Sequence, residues 1–424
     1  MAEIKPFRGV RFTEQAGPMD ELLCPPYDII NAEQRAEYLK KNPRNIVKVE
    51  LPVDEEGVSD KYAKAAETLK DWMADGTMAR DPKPALYIYE EEYTLHGETK
   101  SVRGIFSLVK LEEFDKGVIM PHEFTLSKPK QDRFNLISAT HSNTSTIYSL
   151  YSDKGERTKS KLDMLTERKP DVEATEGKCI HRLWVIDDPL EVSAICRDFE
   201  KRCLYIADGH HRYETSLKYR NTCHENGAPD GSPCDYVMML LVNMDENQFS
   251  LFPTHRLIKN AADFDVDKFV EGIKENFHVD KHSGVNSIKP TLEEYYHRGY
   301  KVVAWYVGND EWYLLRLRSS CNEMNKIMPN SSEALRTLDI SILHQLVLDR
   351  VMHCNNEDCV NYTRSFTEAI AAVNDGKYQC CFILNPTRIQ DIKNIVDAGE
   401  KMPQKSTYFY PKPTTGLVLN VYES

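Results

Sequence analysis

Residues 203–220, with the sequence CLYIADGHHRYETSLKYR, combine a strand-like run, a tight turn and a helix-like run. The apolar run 204–207 predicts a buried strand, and Asp208 and Gly209 break it before a helix that starts at His210. The N-terminus of such a helix presents unpaired N–H groups and the positive end of the helix dipole. The turn is therefore a candidate site for phosphate.

The side chains of this turn could also take part in ligand binding. His210, His211 and Arg212 bring hydrogen-bond donors or positive charge to the helix start. Gly209 has no side chain, so it leaves room for a ligand to approach the backbone. Asp208 could cap the helix, or bind a metal ion or a hydroxyl group. The alternative interpretation is a capped, buried helix whose two histidines are polar surface residues.

A second group of reactive side chains lies in residues 120–140, with the sequence MPHEFTLSKPKQDRFNLISAT. Three cations of this stretch could form a phosphate clamp: Lys128, Lys130 and Arg133. Glu123 could act as a general base for a hydroxyl group. The alternative is a charged surface loop with ordinary ion pairs.

Two more segments could supply a pocket wall. In residues 23–30 a double proline holds Tyr27 and Asp28 in a fixed direction, which suits a pocket as well as a packed connecting loop. The apolar run Tyr236–Asn243 predicts a strand that is covered on both faces. The polar residues that follow it stand where sites in α/β sheets tend to lie, and they are Thr254, His255 and Arg256.

The tail of the chain is rich in proline and aromatic residues between residues 402 and 413. A terminal segment normally frays, and these aromatics indicate that this one is docked. We expect Lys405, Ser406 and Thr407 to return to the first lobe, with simple packing as the alternative.

Periodicity along the chain predicts the elements that position these residues. Asn31 and Gln34 form the pattern of a capping box at the start of a helix. Residues 46–51 alternate like a strand, and residues 85–93 and 101–111 predict an antiparallel hairpin.

Composition excludes several classes of protein. The formal net charge of −12 argues against a general nucleic-acid binder. No run approaches the roughly 18 apolar residues of a membrane span and no secretion signal is visible, so we expect a cytoplasmic protein. The 11 cysteines show no spacing of a structural zinc site and are expected to be reduced thiols. No standard nucleotide-binding loop is present.

Over nearly its whole length the chain resembles a bacterial and protist family long labelled a domain of unknown function. Five stretches carry the resemblance in the same order: CPPYDII, PHEFTLSKPKQDR, DGHHRYET, LLVNMDENQFSLFPTHRL and MPQKSTYFYPK. The family looks related to the ParB/sulfiredoxin-like superfamily, in which a Gly-x-His-Arg or Gly-x-Arg-Arg turn at a helix start binds phosphate. That superfamily includes archaeal kinases of free serine, and members of the present family are assigned as pyrophosphate-dependent serine kinases.

The resemblance implies that pyrophosphate phosphorylates the hydroxyl of free L-serine to O-phospho-L-serine, with Mg²⁺, in serine or cysteine metabolism. Glu123 would accept the hydroxyl proton, and Asp208 would orient the hydroxyl or bind Mg²⁺, with His210 as the third candidate catalytic residue. The candidate phosphate-binding residues are Gly209, His211, Arg212, Lys128, Lys130 and Arg133. The candidate substrate-binding residues are Tyr27, Asp28, Thr254, His255, Arg256, Lys405, Ser406 and Thr407.

Two differences between this sequence and other members of the superfamily argue against two of the superfamily's activities. Sulfiredoxins have a cysteine immediately before the His-Arg pair of this turn, and this chain has His210 there, so peroxiredoxin repair is not expected. No basic helix-turn-helix segment is visible, so DNA binding is not expected. The remaining alternatives are a serine kinase that uses ATP or ADP, a phosphate- or nucleotide-sensing protein, and a hydrolase of pyrophosphate or nucleotides.

We therefore expect a mixed α/β (α+β) fold in two lobes with mixed sheets and a ParB/sulfiredoxin-like catalytic core. Residues 1–258 would form the catalytic lobe and residues 259–424 a C-terminal α/β lobe, with the tail 402–416 returning to the active site. The expected partners are L-serine and pyrophosphate, without nucleic acid or membrane. The sequence leaves the oligomeric state open.

Overall fold

The computed structural model describes residues 1–54, 57, 59–125, 127–356 and 358–423, and at residues 127–129 it describes the backbone alone. The described strands are β1 Ile4–Lys5, β2 Val10–Phe12, β3 Met78–Arg80, β4 Leu86–Leu95, β5 Glu98–Lys110, β6 Ile119–Met120, β7 Ser142–Asn143, β8 Ile147–Tyr151, β9 Val172–Glu176, β10 Cys179–Ile186, β11 Leu204–Asp208, β12 Tyr236–Asn243, β13 Ser250–Leu251, β14 His255–Ile258, β15 Phe277–Ser283, β16 Val302–Gly308, β17 Glu311–Leu317, β18 Val360–Thr363, β19 Cys380–Ile383, β20 Phe409–Tyr410 and β21 Asn420–Val421.

The described α-helices are α1 Ala32–Lys41, α2 Val47–Glu50, α3 Lys61–Ala74, α4 Ser127–Thr140, α5 Arg157–Leu165, α6 Pro189–Phe199, α7 His210–Glu225, α8 Val266–Ile273, α9 Ile288–His297, α10 Glu323–Ile327, α11 Glu333–Arg336, α12 Asp339–Ile342, α13 Phe366–Asn374 and α14 Ile389–Asp397. Helices and strands are interspersed along the chain, and the sheets include parallel and antiparallel pairs. The predicted mixed α/β fold is confirmed. None of the described helices has both the length and the apolar character needed to cross a membrane.

The chain divides into two compact units. The first comprises Met1–Pro121, Thr125–Ser250 and Pro411–Ser424, and the second comprises His122–Phe124 and Leu251–Tyr410. The division falls before residue 258 because His255–Ile258 is a strand of the second unit's sheet. The tail segment that belongs to the first unit starts at Pro411, and its last strand, β21, pairs with β7.

The main sheet of the first unit has the strand order β6-β11-β8-β12-β5-β4-β10-β9, and β1 pairs with β5. β12 is parallel to β8, and β11 is parallel to β6 and antiparallel to β8. Every residue of β12 is buried, as its continuous apolar sequence predicts. β6 pairs with the start of β11, and β8 pairs along it as far as Asp208, so β8 supports the carboxyl end at the turn.

The second unit has its own antiparallel sheet with the order β15-β17-β16-β19-β14-β18. A buried apolar cluster joins the sheet to α9 and α13, and it includes Leu292, Ala304, Trp312 and Val373. This core supports β14, which carries His255 and Arg256.

The strand predicted over residues 46–51 is wrong, because Val47–Glu50 form helix α2. The side chain of Asn45 accepts a hydrogen bond from the N–H of Val47 at 2.9 Å. Its amide also donates to the carbonyls of Glu21 and Leu23, both at 2.8 Å. These contacts with a distant segment stabilise a helical turn in spite of the strand preference of the valines.

Candidate active site

Strand β11 ends at Asp208 and helix α7 begins at His210, which confirms the predicted strand, turn and helix. Gly209 joins them with a φ of 97°, in the left-handed region that favours glycine. A Cβ atom placed on Gly209 would lie 3.0 Å from Nε of Arg212. The turn therefore requires glycine both for its conformation and for the space beside the guanidinium.

The carboxylate of Asp208 contacts two cations. Arg212 donates through Nη2 to Oδ2 at 2.6 Å, and Nζ of Lys412 lies 2.8 Å from Oδ1. The ammonium of Lys412 also donates to Oδ2 of Asp28 at 2.7 Å. The first unit thus brings together the double-proline loop (residues 23–30), the turn at Asp208 and the tail. Their charged groups alternate in sign, from Asp28 through Lys412 and Asp208 to Arg212.

Burial and ion pairing act in opposite directions on these groups. Burial alone would raise the pKa of Asp208, but the charges of Lys412 and Arg212 outweigh it and hold this pKa well below its usual range. Burial alone would lower the pKa of Lys412, but Asp208 and Asp28 raise it above the usual lysine value. The carboxylate of Asp208 and the ammonium of Lys412 are therefore both charged at neutral pH.

The guanidinium of Arg212 has an unused donor. Its Nη1 donates to the carbonyl of Thr146, and its Nη2 binds Asp208. Its Nε is buried and has no hydrogen-bond partner among the described residues, and the side chain is 10% exposed. A buried donor without an acceptor costs about 1–3 kcal/mol. This N–H is therefore available to an acceptor that a ligand would bring.

A cavity of about 40 Å³ borders this arginine. Arg133 of α4 and Arg212 of α7 both line it, together with hydroxyl side chains that include Thr144, Thr215 and Ser216. Guanidinium groups are the preferred side chains for planar recognition of phosphate and carboxylate. Two cations from separate sequence motifs thus share one small cavity.

Arg133, which the sequence placed in the phosphate clamp, is already paired with acids. It donates to Oε1 of Glu50 at 3.3 Å and to Oδ2 of Asp132 at 2.6 Å. Its guanidinium also lies 4.0 Å from the centre of the Tyr27 ring. Arg133 therefore joins α4 to α2 and to the double-proline loop, in addition to lining the cavity.

The lysines of the clamp have a different environment. Nζ of Lys130 donates to Oε2 of Glu214 on α7 at 2.8 Å, and the hydroxyl of Thr125 donates to the same oxygen at 2.6 Å. The side chain of Lys128 lies outside the described residues. The structure therefore places Lys130 beside α7, paired with the carboxylate of Glu214.

The two histidines of the motif lie in the first turn of α7. His210 is buried and His211 is half-buried. The electrostatic interaction with His210 contributes to the low pKa of Asp208, after the larger contributions of Lys412 and Arg212. The first intrahelical hydrogen bond of α7 runs from the N–H of Tyr213 to the carbonyl of Gly209 at 3.0 Å. The positive end of the helix dipole is therefore at the predicted turn.

In the second unit, Glu123 holds the tail segment 405–407. Its Oε1 accepts hydrogen bonds from the N–H of Ser406 at 3.0 Å, and from the N–H and hydroxyl of Thr407, both at 3.1 Å. Nε2 of His122 lies 2.7 Å from that hydroxyl. The structure thus brings the predicted base together with two predicted substrate-binding residues, within the second unit and not the first.

Arg256 is fully buried, and the hydrogen-bond acceptors described for it are neutral. Nη1 donates to the carbonyl of Thr254, Nη2 to the carbonyl of Lys405 at 3.2 Å, and Nε to Nε2 of His344 at 3.3 Å. Burial lowers the pKa of Arg256 to about 10, which leaves it cationic at neutral pH. Since burying an unpaired charge is costly, Arg256 is a candidate for binding a carboxylate or a phosphate.

His255 has a structural role beside Arg256. Its Nδ1 accepts a hydrogen bond from the N–H of Leu384 at 3.3 Å. Burial lowers the pKa of His255 to about 3, so the ring is neutral at physiological pH. It therefore supports β14 and adds no charge.

Lys412 pairs with Asp208, and Glu214 pairs with Lys130, although no residue pattern identified either of them as a candidate site residue. Lys412 ends the tail motif MPQKSTYFYPK and stands between Pro411 and Pro413. Two prolines fix the backbone around it, which is a signal of a directed side chain. Glu214 lies within the motif DGHHRYET, and only its position on the helix explains its contact with Lys130.

A larger cavity of about 220 Å³ lies elsewhere in the first unit. It is lined by Tyr151 and Asn243, which end the parallel strands β8 and β12, and by Arg103, Lys159 and Glu246. The turn at Asp208 pairs instead with the opposite end of β8. Among the predicted site residues whose side chains the structure describes, none lines this larger cavity.

Solved structures with limited similarity include two forms of a free serine kinase. The kinase in complex with AMP is 14% identical, with a TM-score of 0.36 over 75% of this chain and 91% of that chain. A variant of it in complex with ADP is 14% identical, with a TM-score of 0.38 over 75% of this chain and 92% of that chain. A C-terminally truncated SbnI from Staphylococcus aureus is 13% identical, with a TM-score of 0.37 over 74% and 87%.

No curated protein sequence matches the chain. A family model described as "Protein of unknown function (DUF1015)" matches residues 4–341, which is more than half of the chain. The match includes the double-proline loop, the 120–140 stretch, the turn at Asp208 and β14. The chain therefore belongs to the DUF1015 family.

Proposed function

We propose that this protein transfers a phosphoryl group from pyrophosphate to the hydroxyl of free L-serine, forming O-phospho-L-serine and phosphate. One observation carries the proposal: within the described chain, the buried Nε of Arg212 has no partner and lies beside the Gly209 turn. The N-terminus of α7 favours an anion at the same turn. The geometry thus supports a phosphate site, and the motif resemblance suggests the acceptor and the donor.

Phosphoryl transfer depends mainly on positioning and on stabilising negative charge. Arg212 and Lys412 both reach the turn, because both contact Asp208. In the proposed complex, phosphate oxygens take the open Nε of Arg212 and share Lys412 with the carboxylates. His210 and His211, at the positive end of α7, would add to the binding of the donor.

The volume and the lining of the cavity beside Arg212 favour a small phosphate donor such as pyrophosphate. Pyrophosphate has neither base nor ribose, so it needs no apolar nucleoside pocket. The cavity beside Arg212 measures about 40 Å³, and two guanidinium groups and several hydroxyls line it. Apolar side chains such as Leu136 and Val237 also line it, but its small volume and its two guanidinium groups suit phosphate groups better than a nucleoside.

Mg²⁺ is part of the proposal. Asp28 and Asp208 converge on the ammonium of Lys412 at 2.7 Å and 2.8 Å. Mg²⁺ prefers one or two carboxylates together with phosphate oxygens, and Asp28 and Asp208 are the carboxylates proposed to hold it beside Lys412. When bound, the ion would neutralise charge on the phosphates of the donor.

Glu123 is the proposed general base for the serine hydroxyl. Its Oε1 already accepts the hydroxyl of Thr407 at 3.1 Å, so it can receive the same type of donor from a substrate. Arg256 is the proposed partner of the serine carboxylate because it is buried with neutral acceptors. The Glu123→Gln variant tests the first of these two assignments.

A product assay by phosphorus NMR and amino-acid analysis tests the proposal. Purified protein, L-serine and Mg²⁺ are incubated separately with pyrophosphate, ATP and ADP. We expect O-phospho-L-serine with pyrophosphate alone. Formation only with a nucleotide would replace the proposed donor, cleavage of the donor without phosphoserine would indicate a hydrolase, and no turnover would indicate a sensing protein.

A further inference from the structure

Three residue types that bind metals lie close together near the C-terminal end of α7. His224 is in the last turn of α7, and Cys234 and Asp235 are in the short turn Pro233–Asp235. One ligand atom from each of the three residues lies within 4.8 Å of the other two. The spacing of the cysteines does not predict this group, because it combines a single cysteine with a histidine and an aspartate.

Hydrogen bonds around the group orient its ligand atoms. Nδ1 of His224 lies 2.8 Å from the carbonyl of Ala228, an acceptor, so that nitrogen carries a proton. Nε2 then faces Oδ1 of Asp235 at 2.6 Å, and the N–H of Gly231 donates to Oδ2 at 2.6 Å. Metal-binding histidines usually donate their second ring N–H to such a carbonyl, which fixes the tautomer.

We propose that His224, Cys234 and Asp235 bind one zinc ion, with water in the fourth position. Zinc accepts nitrogen, sulfur and oxygen ligands in a tetrahedral arrangement, and a thiolate favours zinc over magnesium. A neutral imidazole, a thiolate and a carboxylate together balance the charge of Zn²⁺. Binding would release the thiol proton of Cys234, and any proton on Nε2 of His224, to solvent.

The exposure of the three side chains allows an ion to enter. Cys234 is buried, while the side chains of His224 and Asp235 are 29% and 11% exposed. Cys223 packs in the same apolar cluster as Cys234 but is outside the group of ligand atoms found among the described residues. The fourth position is therefore assigned to water and not to a second thiolate.

An ordinary ion pair between His224 and Asp235 is the competing explanation of their contact. It leaves Cys234 as a thiol packed in the apolar cluster with Cys223, and it predicts no specific affinity for zinc. The zinc proposal makes the thiol a ligand, so the two explanations differ in the effect of replacing Cys234 alone.

Metal titration of the full-length protein distinguishes the zinc site from the ordinary ion pair. Protein stripped with a chelator is titrated with Zn²⁺, and bound metal is measured by mass spectrometry. Titration with Co²⁺ then reports thiolate ligation through its charge-transfer absorption. We expect one zinc per wild-type chain, and at least about a tenfold loss of affinity in Cys234→Ser and Asp235→Asn. Cys196→Ser is the matched control, since Cys196 is a half-exposed thiol of α6, and we expect it to bind like wild type.

Equal zinc binding by wild type and Cys234→Ser, or no binding by wild type, would overturn the proposal. Circular dichroism of each variant without metal shows whether it is folded, and Asp235→Asn gives a second reading if Cys234→Ser is not. Metal content does not depend on turnover, so a failure of the zinc site and a failure of the proposed kinase activity are distinguishable.

Discussion

Nζ of Lys412 lies 2.8 Å from Oδ1 of Asp208, and the lysine side chain is 5% exposed. Its ammonium is shared with Asp28, at 2.7 Å. This contact ties the tail of the chain to the turn that the sequence places at the centre of phosphate binding. The tail thus supplies a cation to the proposed site through a residue held between two prolines.

Lys412→Met should destabilise the protein and weaken the binding of pyrophosphate. It leaves Asp28 and Asp208 facing each other without their shared cation. Removing one partner of a buried pair costs about 3–5 kcal/mol, and the partial exposure of Asp28 puts the expected loss near the lower value. Urea denaturation measures the loss, and steady-state kinetics measure KM for pyrophosphate.

Lys377→Met is the control for this change. Lys377 is 69% exposed, so its replacement should alter stability by less than about 0.5 kcal/mol. Similar losses in the two variants would contradict the role assigned to Lys412.

Arg212→Lys should raise KM for pyrophosphate by about tenfold or more while leaving KM for L-serine nearly unchanged. The lysine keeps a positive charge but loses Nε, and a hydrogen bond to a charged group contributes about 1.5–3 kcal/mol. Arg197→Lys, at an exposed position of α6, should behave like wild type. An unchanged KM for pyrophosphate in Arg212→Lys would remove Nε from the proposed site.

Gly209→Ala and Gly227→Ala form a matched pair. Both glycines have a positive φ, 97° and 93°, so alanine is strained at either position by about 1 kcal/mol. A Cβ at Gly209 would meet the guanidinium of Arg212, whereas nothing lies within 4 Å of a Cβ at Gly227. Pyrophosphate binding, measured by calorimetry, should weaken in Gly209→Ala alone. Equal effects would mean that only backbone strain matters at the turn.

Glu123→Gln should lower kcat by about 100- to 10,000-fold, the usual contribution of a general base. The amide oxygen can still accept hydrogen bonds from Ser406 and Thr407, so the melting temperature should change little. KM for pyrophosphate should also stay near the wild-type value. Full turnover in this variant would exclude Glu123 as the base.

The buried carboxyl of Glu91 should give the protein a pH-dependent stability. Burial raises the pKa of Glu91 from 4.5 to about 8, so between these values the folded state holds a proton that the unfolded state releases. Stability should therefore fall as pH rises from about 4.5 to 8, by about 1.4 kcal/mol per pH unit from this group. Urea denaturation at several pH values should show a stability loss with rising pH that is steeper in wild type than in Glu91→Gln by about this amount. Identical slopes in the two proteins would contradict the prediction.

Local sequence signals predicted the features that depend on neighbouring residues. The capping box of Asn31 and Gln34 forms in both directions, at 2.8 Å and 2.9 Å. The strand, glycine turn and helix around Gly209 also follow from residues within a few positions of each other. Such patterns specify backbone conformation without reference to the rest of the chain.

Contacts between distant segments could not be predicted in the same way. Lys412 meets Asp28 and Asp208 only after the tail has folded onto the first unit. Arg133 was expected to bind phosphate, but the sequence contains no sign that Glu50 would reach it. Charge and residue type identified side chains that are able to bind phosphate. The fold determines which of these side chains already form ion pairs within the protein.

The most direct test is the stoichiometry of the reaction of L-serine with pyrophosphate and Mg²⁺. The proposed transfer predicts one O-phospho-L-serine and one phosphate for each pyrophosphate consumed, with consumption that requires serine. Two phosphates per pyrophosphate, at a rate that does not depend on serine, would contradict it.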